Sequence, residues 1–128
     1  VDEIADALGV STVHLLKMDI EGAEAFALSG MEKGLTAHRY RAVLLELHPN
    51  ELAEHGKTAE EVCQRLWEAG YRGWRVRHTQ ADTRRAAYAR RLRPEEVMVP
   101  AAPGQPFDEW PHVLWLAPGV SASWVQAA

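Results

Sequence analysis

Two short stretches of the chain concentrate the side chains that can do chemistry. The first, Lys17-Met18-Asp19-Ile20-Glu21-Gly22-Ala23-Glu24, delivers two carboxylates and a glycine directly after an apolar run. The second, Glu46-Leu47-His48-Pro49, sets a carboxylate and an imidazole two residues apart after another apolar run. Side chains two apart on a strand share a side, so Glu46 and His48 can reach one site. An imidazole titrates near neutrality, which makes His48 a candidate general base with a carboxylate to orient it. Taken singly, each residue has a plainer reading: Asp19 and Glu21 cap the next helix while Gly22 permits the bend, Glu46 is satisfied by a backbone amide, and His48 is a turn residue. Two acid-bearing strand ends in succession favour a site. Asp19, Glu21, Glu46 and His48 are also ligand types that could hold Mg²⁺ or Ca²⁺ in an α/β metal-dependent hydrolase.

The elements that must position these residues are legible from periodicity. Ile4, Ala5 and Leu8 recur at helical spacing before Gly9, so a short helix opens the chain. Residues 13–18 read as a strand buried on both faces, the habit of parallel sheets. Ala23, Phe26, Ala27 and Gly30 give an amphipathic helix with Glu24 near its positive end. A second unit repeats the pattern: residues 42–47 form a strand and His48-Pro49-Asn50 its exit turn. The helix that follows starts on the capping box Thr58/Glu61, buries Val62, Leu66 and Ala69, and stops at Gly70. Tyr71 to His78 read as a third strand, nearer an edge because Arg72, Arg75 and Arg77 interrupt it. Residues 79–111 break the alternation and read as an inserted helix plus a long loop; residues 112–116 return to a strand, and 119–128 read as a tail. The alternation predicts one α/β domain, a mostly parallel sheet with helices on its faces. Ligands of such folds bind outside the carboxyl ends of the strands, where Asp19, Glu21, Glu46 and His48 fall.

Composition narrows the partners. The 128 residues suffice for one domain, and 25% charged residues with a net charge of −4 give no push toward nucleic acid or an anionic membrane. The arginines at 84, 85, 90, 91 and 93 are flanked by Asp82, Glu95 and Glu96, so they read as a solvated helix face. Trp67, Trp74, Trp110, Trp115 and Trp124 are scattered and read as core or tail packing. The single cysteine, Cys63, fits a buried helical position and a reducing, cytoplasmic setting, and no apolar run approaches a membrane span.

The eight residues from Lys17 to Glu24, preceded by Val13-His14-Leu15-Leu16 and followed at one helix and one loop by Val43-Leu44-Leu45-Glu46-Leu47-His48-Pro49, resemble the FkbM family of methyltransferases. The lead-in Val1 to Asp6 is similar as well, so the resemblance spans roughly residues 1–78. It implies a Rossmann-like sheet of seven strands, S-adenosylmethionine across the strand ends, and transfer to a hydroxyl oxygen of a small molecule or sugar. Asp19 and Glu21 would lie beside cofactor and acceptor, with Asp19, Glu21 and His48 as catalytic candidates and Lys17, Glu46 and His48 facing the acceptor. No metal ion is expected on this reading.

The family's first strands would carry a glycine-rich loop and a ribose-holding acid, and no Gly-x-Gly occurs in this chain. Because Val1 to Leu8 already reads as the inside of a helix, the chain is expected to be the C-terminal half of a methyltransferase domain, weak in cofactor binding by itself. The family's strand order would leave one edge of the strand at 13–18 open, an invitation to self-association. A non-catalytic half-domain serving as an interaction module is the remaining alternative, and an in-frame start near Val1 would favour it.

Overall fold

The structure is a computed structural model that describes residues 1–88, 94–107 and 111–121. Arg90, Arg91, Arg93, Trp110, Trp124 and most of the expected tail lie outside the described residues. The elements, in order, are α1 (Asp2–Ala7), β1 (Leu16–Met18), α2 (Glu24–Ser29), α3 (Glu32–Thr36), β2 (Ala42–Glu46), α4 (Pro49–Glu54), α5 (Ala59–Glu68), β3 (Arg72–Val76), α6 (Gln80–Tyr88), α7 (Pro94–Val97), β4 (Met98–Pro100) and β5 (His112–Leu116).

The strands form one sheet in the order β1-β2-β5-β3-β4. Only β1 and β2 pair in parallel; β2 with β5, β5 with β3, and β3 with β4 are antiparallel. The sheet is therefore mixed, not mostly parallel as the alternation suggested. The strand-helix units do send β1, β2 and β3 in one direction, but β5 returns from the segment after β4 and inserts between β2 and β3 with opposite polarity. Periodicity reports an element's type and carries no information about where a distant strand inserts. β4 then covers the outer side of β3, which puts the arginine-bearing strand one place in from the edge.

The core lies between this sheet and helices α2 to α5. Val43, Leu45, Val113 and Trp115 on the sheet meet Leu28, Met31, Leu35, Leu52, Val62, Cys63 and Leu66 from the helices. Trp115 is fully buried with its ring edge-on to Trp67 at 5.2 Å, and Gly73 on the neighbouring strand makes room for it: a Cβ there would sit 2.8 Å from the indole. Such aromatic pairs add ~0.5–1.5 kcal/mol beyond their burial. α5 starts on the expected box, with Glu61 N–H donating to Thr58 Oγ1 and Thr58 N–H to Glu61 Oε2. Cys63 is buried among these side chains, and burial pushes its thiol far above the ordinary value.

Three expectations for the first half need correction. α1 buries Ala5 but turns Ile4 and Leu8 outward, and its inward group is Asp2, which accepts from Tyr40 Oη at 2.6 Å and Gly34 N–H at 2.9 Å. β1 is shorter than the apolar run and not buried on both faces: Leu15 is exposed, Leu16 half-buried and Met18 buried, because β1 is the sheet edge. α2 is rotated from its apolar stripe, burying Glu24, Ala25 and Leu28 while Phe26 stands 56% exposed against the His55 ring. Three short helices, α3, α4 and α7, and strand β4 occupy stretches that read as loops. Of the arginine segment, Arg84 and Arg85 stand exposed on α6, with Arg85 paired to Glu96 at 2.8 Å.

Candidate active site at the strand-end rim

β1, β2 and β3 point their carboxyl ends to one rim, and β5 starts there, since Glu46 pairs with His112 and Val76 with the same residue. β1 delivers Asp19 one residue past its end, β2 ends on Glu46, and His48 is the residue from which α4 starts. The ligand atoms of Asp19, Glu46 and His48 all lie within 4.8 Å of one another, so the structure brings together these three residues from the two neighbouring strand ends.

Lys17 projects toward the same place. Its Nζ is 2.8 Å from Asp19 Oδ2 and 3.8 Å from Glu46 Oε2. The lysine holds Asp19 below its ordinary pKa, with His48 adding to the effect, and Asp19 in turn raises Lys17. Both groups are substantially exposed, so this pair organises the rim more than it stabilises the fold.

The carboxylate that orients His48 is Glu24, not Glu46. Glu24 is fully buried, and its Oε1 takes His48 Nδ1 at 3.1 Å and Gly22 N–H at 3.3 Å. With Nδ1 held by the carboxylate, Nε2 faces outward, 3.8 Å from Asp19 Oδ1. Burial by itself would lower the His48 pKa; the Glu24 hydrogen bond and charge, with Glu46 and Glu51, outweigh it and raise the group above its ordinary value. Glu46 is committed elsewhere, to His112 Nε2 at 3.1 Å. Glu24 and His112 are the residues that strand-end reasoning missed. Glu24 looked like a first-turn acid, and its partner is 24 positions away, a separation no local pattern reports.

The turn between β1 and α2 explains why Glu24 points inward. Gly22 adopts φ +96, and a Cβ on it would sit 2.6 Å from Glu51 Cβ, so α4 packs directly on the bare backbone. Glu24, the first residue of α2, follows this turn directly and reaches His48. Neither Asp19 nor Glu21 caps α2, whose N-cap is Ala23 without a side-chain bond. Glu21 stands exposed in the turn at φ 49, outside the Asp19–Glu46–His48 cluster.

Carboxylates dominate the rim. Two of their oxygens, Glu24 Oε2 and Glu51 Oε2, are buried with no hydrogen-bond partner among the described residues. Buried unpaired carboxylate oxygens are costly. The model of the methyltransferase FkbM domain matches residues 1–72. This chain belongs to the FkbM methyltransferase family. The matched part of this FkbM-family chain contains Lys17, Asp19, Glu21, Glu24, Glu46 and His48, and it ends where β3 begins. No curated protein and no solved structure matches the chain. No helix among the described residues is long and apolar enough to cross a membrane.

Proposed function

We propose that this chain is the C-terminal part of a cytoplasmic, S-adenosylmethionine-dependent methyltransferase that acts on a hydroxyl oxygen of a small molecule or sugar, within a Rossmann-like sheet. The observation that carries the reading is the His48 arrangement: an imidazole whose Nδ1 is held by a buried carboxylate and whose Nε2 faces an acidic rim.

The residues present suit the cofactor. A sulfonium and an ammonium are both cations, and the rim offers the exposed carboxylates of Asp19 and Glu21. Asp19 and Glu21 would hold it. When bound, S-adenosylmethionine supplies an electrophilic methyl group to an in-line oxygen nucleophile. Lys17, Glu46 and His48 orient the acceptor, and such alignment is worth up to ~7–11 kcal/mol in favourable systems. His48 Nε2 takes the hydroxyl proton as the oxygen attacks, and Glu24 stabilises the imidazolium that forms through its bond to Nδ1. Asp19, held ionised by Lys17, is the second candidate for the base.

A metal-dependent hydrolase is the competing reading, favoured by the 4.8 Å clustering of Asp19, Glu46 and His48. The Lys17 ammonium already neutralises Asp19 and approaches Glu46, and a divalent ion would have to displace it. Thermal unfolding of the protein as its gene encodes it separates the two readings. Saturating S-adenosylhomocysteine should stabilise by about 2.7 kcal/mol at a hundredfold excess over its dissociation constant, and Asp19→Asn should weaken that response. Stabilisation by Mg²⁺ with no response to S-adenosylhomocysteine would refute methyl transfer.

A further inference from the structure

The rim does not end at His48. Glu46 bonds His112, and the His112 ring packs against His78 with centroids 4.5 Å apart. Beyond them opens a cavity of about 560 Å³, lined among others by Arg75, Arg77, His78, Thr79, Val99 and His112. That volume lies within the usual range for small-molecule sites, ~300–1,000 Å³. Another cavity, about 490 Å³, lies along α2, α3 and α5 and is lined by none of the rim residues.

Two features of the rim cavity point to a ligand class. First, none of the lining residues among the described residues is acidic, although the chain as a whole carries a net charge of −4. Its permanent charges are the two guanidinium groups. Arg75 spends one donor on Pro106 O at 2.8 Å and Arg77 pairs through Nη2 with Asp82 at 3.1 Å. These bonds fix the arginines in place, and each guanidinium has five N–H donors, so donors remain for a ligand. Second, every lining residue lies between positions 75 and 112, beyond the end of the family match at residue 72. Reaction-centre candidates sit inside the shared region and the cavity wall sits outside it, the division expected when a common chemistry is fitted to a particular acceptor.

We propose that this cavity binds the anionic end of the acceptor, a small hydroxyl-bearing molecule that carries a phosphate or a carboxylate. The bound anion anchors the acceptor on Arg75 and Arg77, and the His112–Glu46 pair forms the floor over which its hydroxyl reaches His48. The substrate role rests on the methyl-transfer reading; anion binding does not.

The test titrates the intact protein with inorganic phosphate, with acetate, and with neutral glucose, following the ring signals of His78, His112 and His55 by NMR. Phosphate or acetate should saturate shifts at His78 and His112 while leaving His55 unmoved, and whichever saturates at the lower concentration identifies the acceptor's anion. Combined Arg75→Gln and Arg77→Gln should weaken the response at least about tenfold, and Arg84→Gln, which removes an exposed charge outside the cavity, should leave it unchanged. The wild-type shifts stand by themselves should the double variant fold poorly. Non-saturating shifts for both anions below about 10 mM, or equal weakening by Arg84→Gln, would overturn the proposal. Because no arm uses the cofactor, failure of the methyltransferase reading shows in the S-adenosylhomocysteine experiment and failure of the anion site shows here.

Discussion

Replacing Glu24 by glutamine removes a charge while keeping the shape, and its effect should depend on pH in a way that packing alone cannot imitate. Wild-type Glu24 is fully buried and bonded to His48 Nδ1 and Gly22 N–H. A hydrogen bond between charged groups is worth ~1.5–3 kcal/mol and a neutral one ~0.5–1.5, so Glu24→Gln should cost about 1–1.5 kcal/mol while His48 is protonated. His48 is raised above its ordinary value, so protonation favours the folded state. That stabilisation is fully present below the unfolded value of about 6.5 and is lost as pH rises through the raised folded value. Above it the imidazole is neutral and only a neutral-strength bond remains to be lost, so an amide at position 24 should cost little. Urea unfolding at about pH 5.5 and about pH 9 measures both limbs, with the loss expected only at the lower pH. Equal losses at the two pH values would refute the Glu24–His48 coupling. In the active enzyme, the same substitution should move the rising limb of the pH–rate profile to lower pH, since the base loses its proton sooner.

Other outcomes follow from the same contacts. Gly22→Ala should destabilise by about 2 kcal/mol or more in thermal melts, because it combines a left-handed φ with a Cβ 2.6 Å from Glu51 Cβ. Asp2→Asn should cost about 1–3 kcal/mol near neutral pH and flatten acid unfolding. Burial opposes ionisation of Asp2, but Tyr40 Oη, Gly34 N–H and Arg39 outweigh it and lower its pKa, so its stabilisation is present above about 3.8 and lost as pH falls through the depressed value. Tyr71→Phe should cost about 1 kcal/mol in urea unfolding by stranding Tyr40 C=O, which accepts from Tyr71 Oη at 2.7 Å in the core. The outer edge of β1 has no partner strand among the described residues, so size-exclusion chromatography of residues 1–128 should show concentration-dependent association; a dispersed monomer would contradict it.

The legible parts of the fold were those with local causes. The α5 boundaries follow from Thr58 and Glu61, whose reciprocal bonds span three residues. The β2 and β5 strands follow from unbroken apolar runs that end up in the middle of the sheet. Phase failed where a polar group took an inward position. Asp2 displaced Ile4 and Leu8 from the inner face of α1, and Glu24 displaced Phe26 from that of α2. In both cases the partner that made burial tolerable, Tyr40 or His48, lies more than twenty residues away.

The sequence by itself determined the family, the two strand ends that carry Asp19, Glu46 and His48, and the direction shared by β1, β2 and β3, because each of these is written in residues close together along the chain. Tertiary structure decided the rest. It inserted β5 between β2 and β3, which gave the sheet its mixed polarity and brought His112 beside Glu46. It seated α4 on the bare backbone of Gly22 and brought the Glu24 carboxylate to His48. Hydrogen bonds between distant residues act only once packing has brought their elements together, so the roles of Glu24 and His112 exist only in the folded chain.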